Sequence, residues 1–270
     1  MPIIKLTNNL PDINMVRTGP RGRAPVVLMH GVGLDLTYWD SQFAALGATD
    51  DVIAFDMPGH GLSGKLPHPP SFGDMAAILA GVVEHADAGP AHLVGISAGG
   101  MIAQTFALQR PDLVRSLSLV ATLCTFPDAV RAILRERARV SREGGMSVIA
   151  PLSLERWFPA AFRARRPDVM DRATKSLLRQ DAEFHASMWD MIASLDLEAR
   201  LSSLSCPTMV IAGVEDINAP PAAARQIAGL IPGAELHELA GAGHFPPIEV
   251  PEAFNELLVN FLQRETARAK

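Results

Sequence analysis

Cysteine is nearly absent: the 270 residues contain two, Cys124 and Cys206. Two thiols exclude a disulfide framework and a four-cysteine zinc site. Both read as reduced core residues, which points to a cytosolic compartment. Basic residues are not in excess either. With 24 Lys and Arg against 29 Asp and Glu, the formal charge is −5. A nucleic acid or an anionic membrane would demand a dense positive surface that this balance does not supply, so neither is an expected partner. No uninterrupted apolar run reaches the roughly 18 residues of a membrane span, and the first residues lack the basic-then-apolar pattern of a signal peptide. The expected location is therefore cytoplasmic. Repeats and low-complexity tracts are also missing. What remains is 48% hydrophobic with 21 Gly and 21 Pro, which excludes disorder and collagen and suits one large domain carrying an insertion.

Short apolar, β-branched runs alternate with helical patterns: Val26–Met29, Val52–Phe55, His92–Ile96 and Leu117–Val120, then Pro207–Ala212 and Ala234–Leu239. Such runs read as buried parallel strands. Between the second and third, Phe72, Met75, Ala76, Leu79, Val82, Val83 and Ala86 recur at helical spacing, predicting a crossover helix. Gly100–Arg110 predicts another, and Phe254, Leu257, Leu258, Phe261 and Leu262 mark a last one. Strands joined by crossovers imply a doubly wound α/β sheet. The segments Ile3–Thr7 and Asp12–Arg17 are read as an antiparallel edge hairpin. Between residues 126 and 200 the strand signal vanishes and helices are expected, broken at Gly144-Gly145, Pro151, Pro159 and Pro167. This divides the chain into a core, residues 1–125 and 201–270, and a helical insertion, 126–200. Arg131, Arg135 and Arg139 lie four apart and read as a solvated helix face.

Chemistry concentrates where strands end. Gly95-Ile96-Ser97-Ala98-Gly99 falls between a predicted strand and a predicted helix. A serine held at such a turn needs nearly side-chain-free neighbours, and the following helix N-terminus favours developing negative charge. A serine hydroxyl also needs a base, and the base a carboxylate. His244, in Gly241-Ala242-Gly243-His244, follows the last predicted strand, and Asp216 follows the strand before it. Glu215 and Asp128 are rival acids. His68, His85, His92 and His237 fit loops, helix faces and strands. The order Ser97, Asp216, His244 is that of one hydrolase fold. Oxyanion donors are expected from the backbone N–H groups of Ala98 and Val32, with Gly33 the alternative to Val32. His30 reads as a loop organiser. Asp56 and His60 lack a third ligand, so they read as a turn and no metal is expected. Trp157, Phe158, His185 and Trp189 are candidate walls of a substrate pocket.

His30-Gly31, Asp56-Met57-Pro58-Gly59-His60-Gly61-Leu62-Ser63, Gly95 to Gly100, the Asp216 loop and Gly243-His244 together resemble the α/β-hydrolase superfamily. That resemblance implies an eight-stranded, mostly parallel sheet with helices on both faces, a triad of Ser97, Asp216 and His244, no cofactor, and a cap formed by 126–200. Arg142-Glu143-Gly144-Gly145-Met146, Arg156-Trp157-Phe158 and Asp216 to Pro221 are similar to 3-oxoadipate enol-lactonases. The chain departs from those at His30-Gly31, where they carry a serine-containing turn, and at Ala98, where methionine is usual. The expected activity is hydrolysis of a small ester or lactone through an acyl-enzyme, with an enol-lactone and an anionic substrate among the candidates. A C–C bond hydrolase of a β-diketone-like substrate, a perhydrolase or haloperoxidase-like enzyme, and a non-catalytic ligand receptor share the same features. Oligomeric state is not legible.

Overall fold

A computed structural model describes residues 3–6 and 10–268. Eight strands form one sheet: β1 (Ile3–Ile4), β2 (Ile13–Thr18), β3 (Val26–Met29), β4 (Val52–Phe55), β5 (Ala91–Ile96), β6 (Val114–Val120), β7 (Thr208–Gly213) and β8 (Glu235–Leu239). Their order is β1-β2-β4-β3-β5-β6-β7-β8. β1 pairs antiparallel with β2, and β2 antiparallel with β4. Every other pairing is parallel. Of the expected edge hairpin, Thr7 lies outside the described residues.

β3, β4, β5 and β7 are buried at every residue because helices cover both faces. Alternate side chains serve opposite cores. Val27, Ile53 and Leu93 join the layer of α2 (Phe72–Ala86), α3 (Ala98–Gln109) and α8 (Pro221–Leu230). Val26, Val52 and Val94 join that of α1 (Asp40–Leu46) and α10 (Pro251–Ala267), which follows the single turn α9 (Pro246–Glu249). Because β3 to β8 run parallel, the turns after β3, β4, β5, β7 and β8 gather at one edge of the sheet, where open α/β folds build their sites.

Between β6 and β7 the chain forms α4 (Asp128–Trp157), α5 (Ala160–Arg165), α6 (Pro167–Leu178) and α7 (Ala182–Ala193). α4 turns back on itself at Gly145, whose φ of 69° is open to glycine without penalty. Pro159 and Pro167 stand at helix starts, where the missing N–H costs nothing. Pro151 does not break the helix as its sequence suggested. The second segment of α4 runs through it, held by buried Ile149, Ala150, Ser153 and Trp157. The two ends of this insertion meet at a neck: Thr125 bridges Asp196, and Leu197 N–H donates to the Cys124 carbonyl at 2.8 Å. Arg131 is not on a solvated face. Its guanidinium donates to the carbonyls of Ala193 and Leu195 at the end of α7, whereas Arg135 and Arg139 are exposed. Cys124 is buried, Cys206 half-buried, and both are free. Among the described residues no helix is long and apolar enough to cross a membrane.

Candidate active site

Ser97 joins β5 to α3 in a backbone conformation, φ 54° and ψ −119°, that side chains rarely adopt. Holding it there costs on the order of 1–3 kcal/mol. Three hydrogen bonds offset that cost: Ser97 N–H donates to the Val120 carbonyl at 2.9 Å, and the Ser97 carbonyl accepts from Met101 N–H and from Thr122 Oγ1, the latter at 2.7 Å. The turn also depends on glycine. A Cβ on Gly95 would sit 2.4 Å from the Gly99 carbonyl oxygen, and one on Gly99 would sit 2.4 Å from that of Met29. Ile96 and Ala98 are buried while Ser97 is only half-buried, so the hydroxyl is the part of the elbow that reaches out.

That hydroxyl meets His244, whose Nε2 lies 3.0 Å from Ser97 Oγ. His244 Nδ1 lies 2.7 Å from Asp216 Oδ2. Both His244 and Asp216 are buried. The second carboxylate oxygen, Oδ1, accepts the N–H groups of Asn218 at 2.7 Å and Ala219 at 3.1 Å, so Asp216 fixes its own turn. A carboxylate at Nδ1 leaves the Nε2 lone pair facing the serine, the arrangement a general base requires. The rival acids are elsewhere: Glu215 is exposed beside Asp216, and Asp128 is fully exposed at the start of α4.

The backbone after β3 runs directly beside the serine. A Cβ on Gly31 would be 3.3 Å from Ser97 Cβ and 3.7 Å from its Oγ. Val32, the next residue, and Ala98, first in α3, are both buried. Gly33 has φ of 89°, and the space its side chain would fill is taken by the Trp157 ring. His30 donates from Nδ1 to the Gly31 carbonyl at 2.8 Å and accepts Met57 N–H on Nε2 at 2.9 Å, tying the β3 and β4 turns together. Burial pushes its pKa down, so it stays neutral. Asp56 accepts from Leu36 and Leu62 N–H, and His60 Nδ1 donates to the Pro58 carbonyl; among the described residues no group of three or more His, Cys, Asp or Glu side chains is placed to hold a metal ion.

Of the four pocket candidates, Trp157 is buried over the Gly33 loop, with its carbonyl accepting His244 N–H at 3.1 Å. Phe158 is 1% exposed and stacked between Phe162 and Phe245, so its ring serves packing. Trp189 Nε1 donates to His185 Nε2 at 2.9 Å, which leaves His185 Nδ1 to donate to Gln180 Oε1 at 2.9 Å. A cavity of about 420 Å³ lined by Leu108, Pro111, Arg115, Ser203 and Cys206 lies at the opposite end of the sheet and contains no paired nucleophile and base.

Sequence reasoning missed Glu249. Its Oε2 accepts Gly243 N–H at 2.8 Å and its Oε1 accepts Phe245 N–H at 2.7 Å, gripping the chain on either side of His244. Burial pushes its pKa up to about 7 from 4.5, against the pull of those two N–H groups. The folded state therefore holds a proton that the unfolded chain releases. Stability from this group falls as pH rises from about 4.5 to about 7. Glu249→Gln is expected to flatten the pH dependence of urea unfolding across that window, by on the order of 2 kcal/mol. Parallel curves for the two proteins would refute the assignment.

A sequence profile of the alpha/beta hydrolase fold matches residues 24–251. The chain belongs to the α/β-hydrolase family. This hydrolase is 27% identical over 268 residues to 3-oxoadipate enol-lactonase 2 of Acinetobacter baylyi, covering 98% of this chain and 99% of that one. It is 30% identical over 258 residues to a poly(3-hydroxyalkanoate) depolymerase of Ectopseudomonas oleovorans, covering 94% and 89%. The crystal structure of the enol-lactonase from Burkholderia xenovorans LB400 superposes with a TM-score of 0.91 at 29% identity, covering 97% and 100%. The eight-stranded α/β-hydrolase architecture and the enol-lactonase likeness expected from the motifs are both borne out, and the chain is an ester-acting hydrolase of this family.

Proposed function

We propose that this hydrolase cleaves a small carboxylic ester or lactone by nucleophilic attack of Ser97. The observation that carries this reading is the hydrogen-bonded series Ser97, His244, Asp216, with distances of 3.0 and 2.7 Å, at a strained turn. His244 Nε2 takes the hydroxyl proton as Oγ bonds to the substrate carbonyl carbon, and the buried Asp216 stabilises the imidazolium. The backbone N–H groups of Val32 and Ala98 receive the oxyanion. Collapse breaks the bond to the leaving oxygen, which takes the proton from His244. Water, deprotonated by His244, then attacks the acyl-serine and restores the hydroxyl. In a lactone the leaving oxygen stays tethered, so one open-chain acid results. No cofactor enters any step.

Residues 126–200 act as a cap over this edge, with Trp157 forming a wall above the Gly33 loop. The relatives named as enol-lactonases support a lactone among the substrates. A fluorophosphonate probe followed by peptide mass spectrometry is expected to modify Ser97, and a panel of p-nitrophenyl esters and lactones to define the acyl group. Modification of a different serine, with Ser97 untouched, would overturn the reading.

A further inference from the structure

Four consecutive residues of the helical insertion, Arg156 to Pro159, touch three of the loops that build the site. The Trp157 ring lies against the loop after β3, where a Cβ on Gly33 would sit 2.6 Å from its Cη2. Pro159 lies against the loop after β8, where a Cβ on Gly243 would sit 2.7 Å from its Cδ. The last carbonyls of a helix have no donor within it. At the end of α4 these loops supply donors for two of them: the Trp157 carbonyl accepts His244 N–H at 3.1 Å, and the Arg156 carbonyl accepts from Asn218 Nδ2 at 2.7 Å. Asn218 closes a second bond to the same residue, its Oδ1 accepting from Arg156 Nε at 3.0 Å. An amide suits this place because it offers one acceptor and one donor side by side, and Arg156 presents an N–H and a carbonyl.

Asn218 faces two ways. Its side chain clamps the end of α4, while its backbone N–H donates to Asp216 Oδ1 at 2.7 Å; the other oxygen of that carboxylate lies 2.7 Å from His244 Nδ1. One residue further along α4, the Trp157 carbonyl holds the backbone of His244. The acid and the imidazole come from separate turns, after β7 and after β8, and the end of α4 is a bracket common to both. We infer that Asn218 is a positioning residue for the reaction: by fastening the Asp216 turn to the end of α4, it sets the separation of carboxylate and imidazole on which proton transfer depends. It touches neither the serine nor the bond being broken. Asn218 is half-buried and Arg156 exposed, so the clamp adds little to folding and acts through placement. The inference rests on the reading of Ser97, His244 and Asp216 as the reacting series and adds the part that the insertion plays in it.

Asn218→Ala keeps the backbone N–H on Asp216 and removes only the clamp. With p-nitrophenyl acetate and p-nitrophenyl butyrate it is expected to lower kcat by about 10-fold and to leave KM within about twofold, because a displaced acid costs orientation rather than binding. In an Asp216→Asn background the clamp has no carboxylate to place, so adding Asn218→Ala is expected to cost less than about twofold more. Losses that multiply in the double variant would mean that Asn218 acts elsewhere, and a raised KM with kcat unchanged would make it a residue of the substrate pocket. Either result overturns the inference. A spectroscopic measurement separates it from the reading beneath it. The Ser97→Ala protein needs no turnover, and there the far-downfield proton resonance of His244 Nδ1–H is expected to broaden by exchange, or to vanish, when Asn218 is also replaced by alanine. An unchanged resonance refutes the positioning role. Ester cleavage by Ser97→Ala at the full rate would instead refute the nucleophile, and the resonance would still decide the role of Asn218.

Discussion

Ser97→Ala is expected to lower kcat for ester cleavage by about 10⁶-fold with little change in stability. The elbow itself is held by backbone atoms: the residue 97 N–H on Val120 and its carbonyl under Met101 and Thr122, none of which involves Oγ. The loss is therefore chemical. Asp216→Asn should cost less, about 10⁴-fold, because the nucleophile and the imidazole both remain and what is lost is the carboxylate that fixes the tautomer and stabilises the imidazolium. Since the three groups act as a unit, a Ser97→Ala, His244→Ala double variant should be no slower than Ser97→Ala. Steady-state rates and the burst of p-nitrophenol measure both effects. A Ser97→Ala enzyme keeping a tenth of its activity would remove the serine from the reaction.

Asp56→Ala is expected to cost roughly 3–5 kcal/mol of folding free energy. The Asp56 side chain is buried and its carboxylate accepts Leu36 N–H at 2.8 Å, Leu62 N–H at 2.9 Å and Asn14 Nδ2 at 2.7 Å. The loop after β4 wraps so closely that a Cβ on Gly61 would lie 2.0 Å from Asp56 Oδ2. Deleting the carboxylate takes the acceptor from two backbone donors that alanine cannot replace. The adjoining Met57 N–H bond to His30 would loosen with it, so activity should fall as well. Urea unfolding measures the first effect, with Asp128→Ala as a surface reference expected within about 0.5 kcal/mol of wild type. Equal midpoints for both variants would show that water or local relaxation satisfies the loop.

The central strands and the three hydrogen-bonded side chains were legible for one reason. In a parallel sheet, a short apolar run followed by small residues fixes both the strand and the edge at which its successor residue emerges. Ser97 and Asp216 follow such runs, and His244 follows the half-exposed edge strand β8, in which leucines stand among polar residues. Glu249 has no such signal: it lies in a proline-rich stretch, and only the single turn α9 brings its carboxylate back onto Gly243 and Phe245. Arg131 misled for the converse reason. Its four-residue spacing to Arg135 and Arg139 is that of an exposed face, yet the carbonyls that end α7 attract it. Pro151 was over-weighted, since one missing N–H is tolerable where several neighbouring side chains are packed.

The bridge between Thr125 and Asp196 means that the chain departs from the sheet and rejoins it at adjoining points. The segment between those points enters and leaves the sheet at one place, yet it stays tied to the site through the Trp157 carbonyl, which accepts His244 N–H. A change of length within it would leave the ends of β6 and β7 where they are, so long as Trp157 keeps its hold on His244.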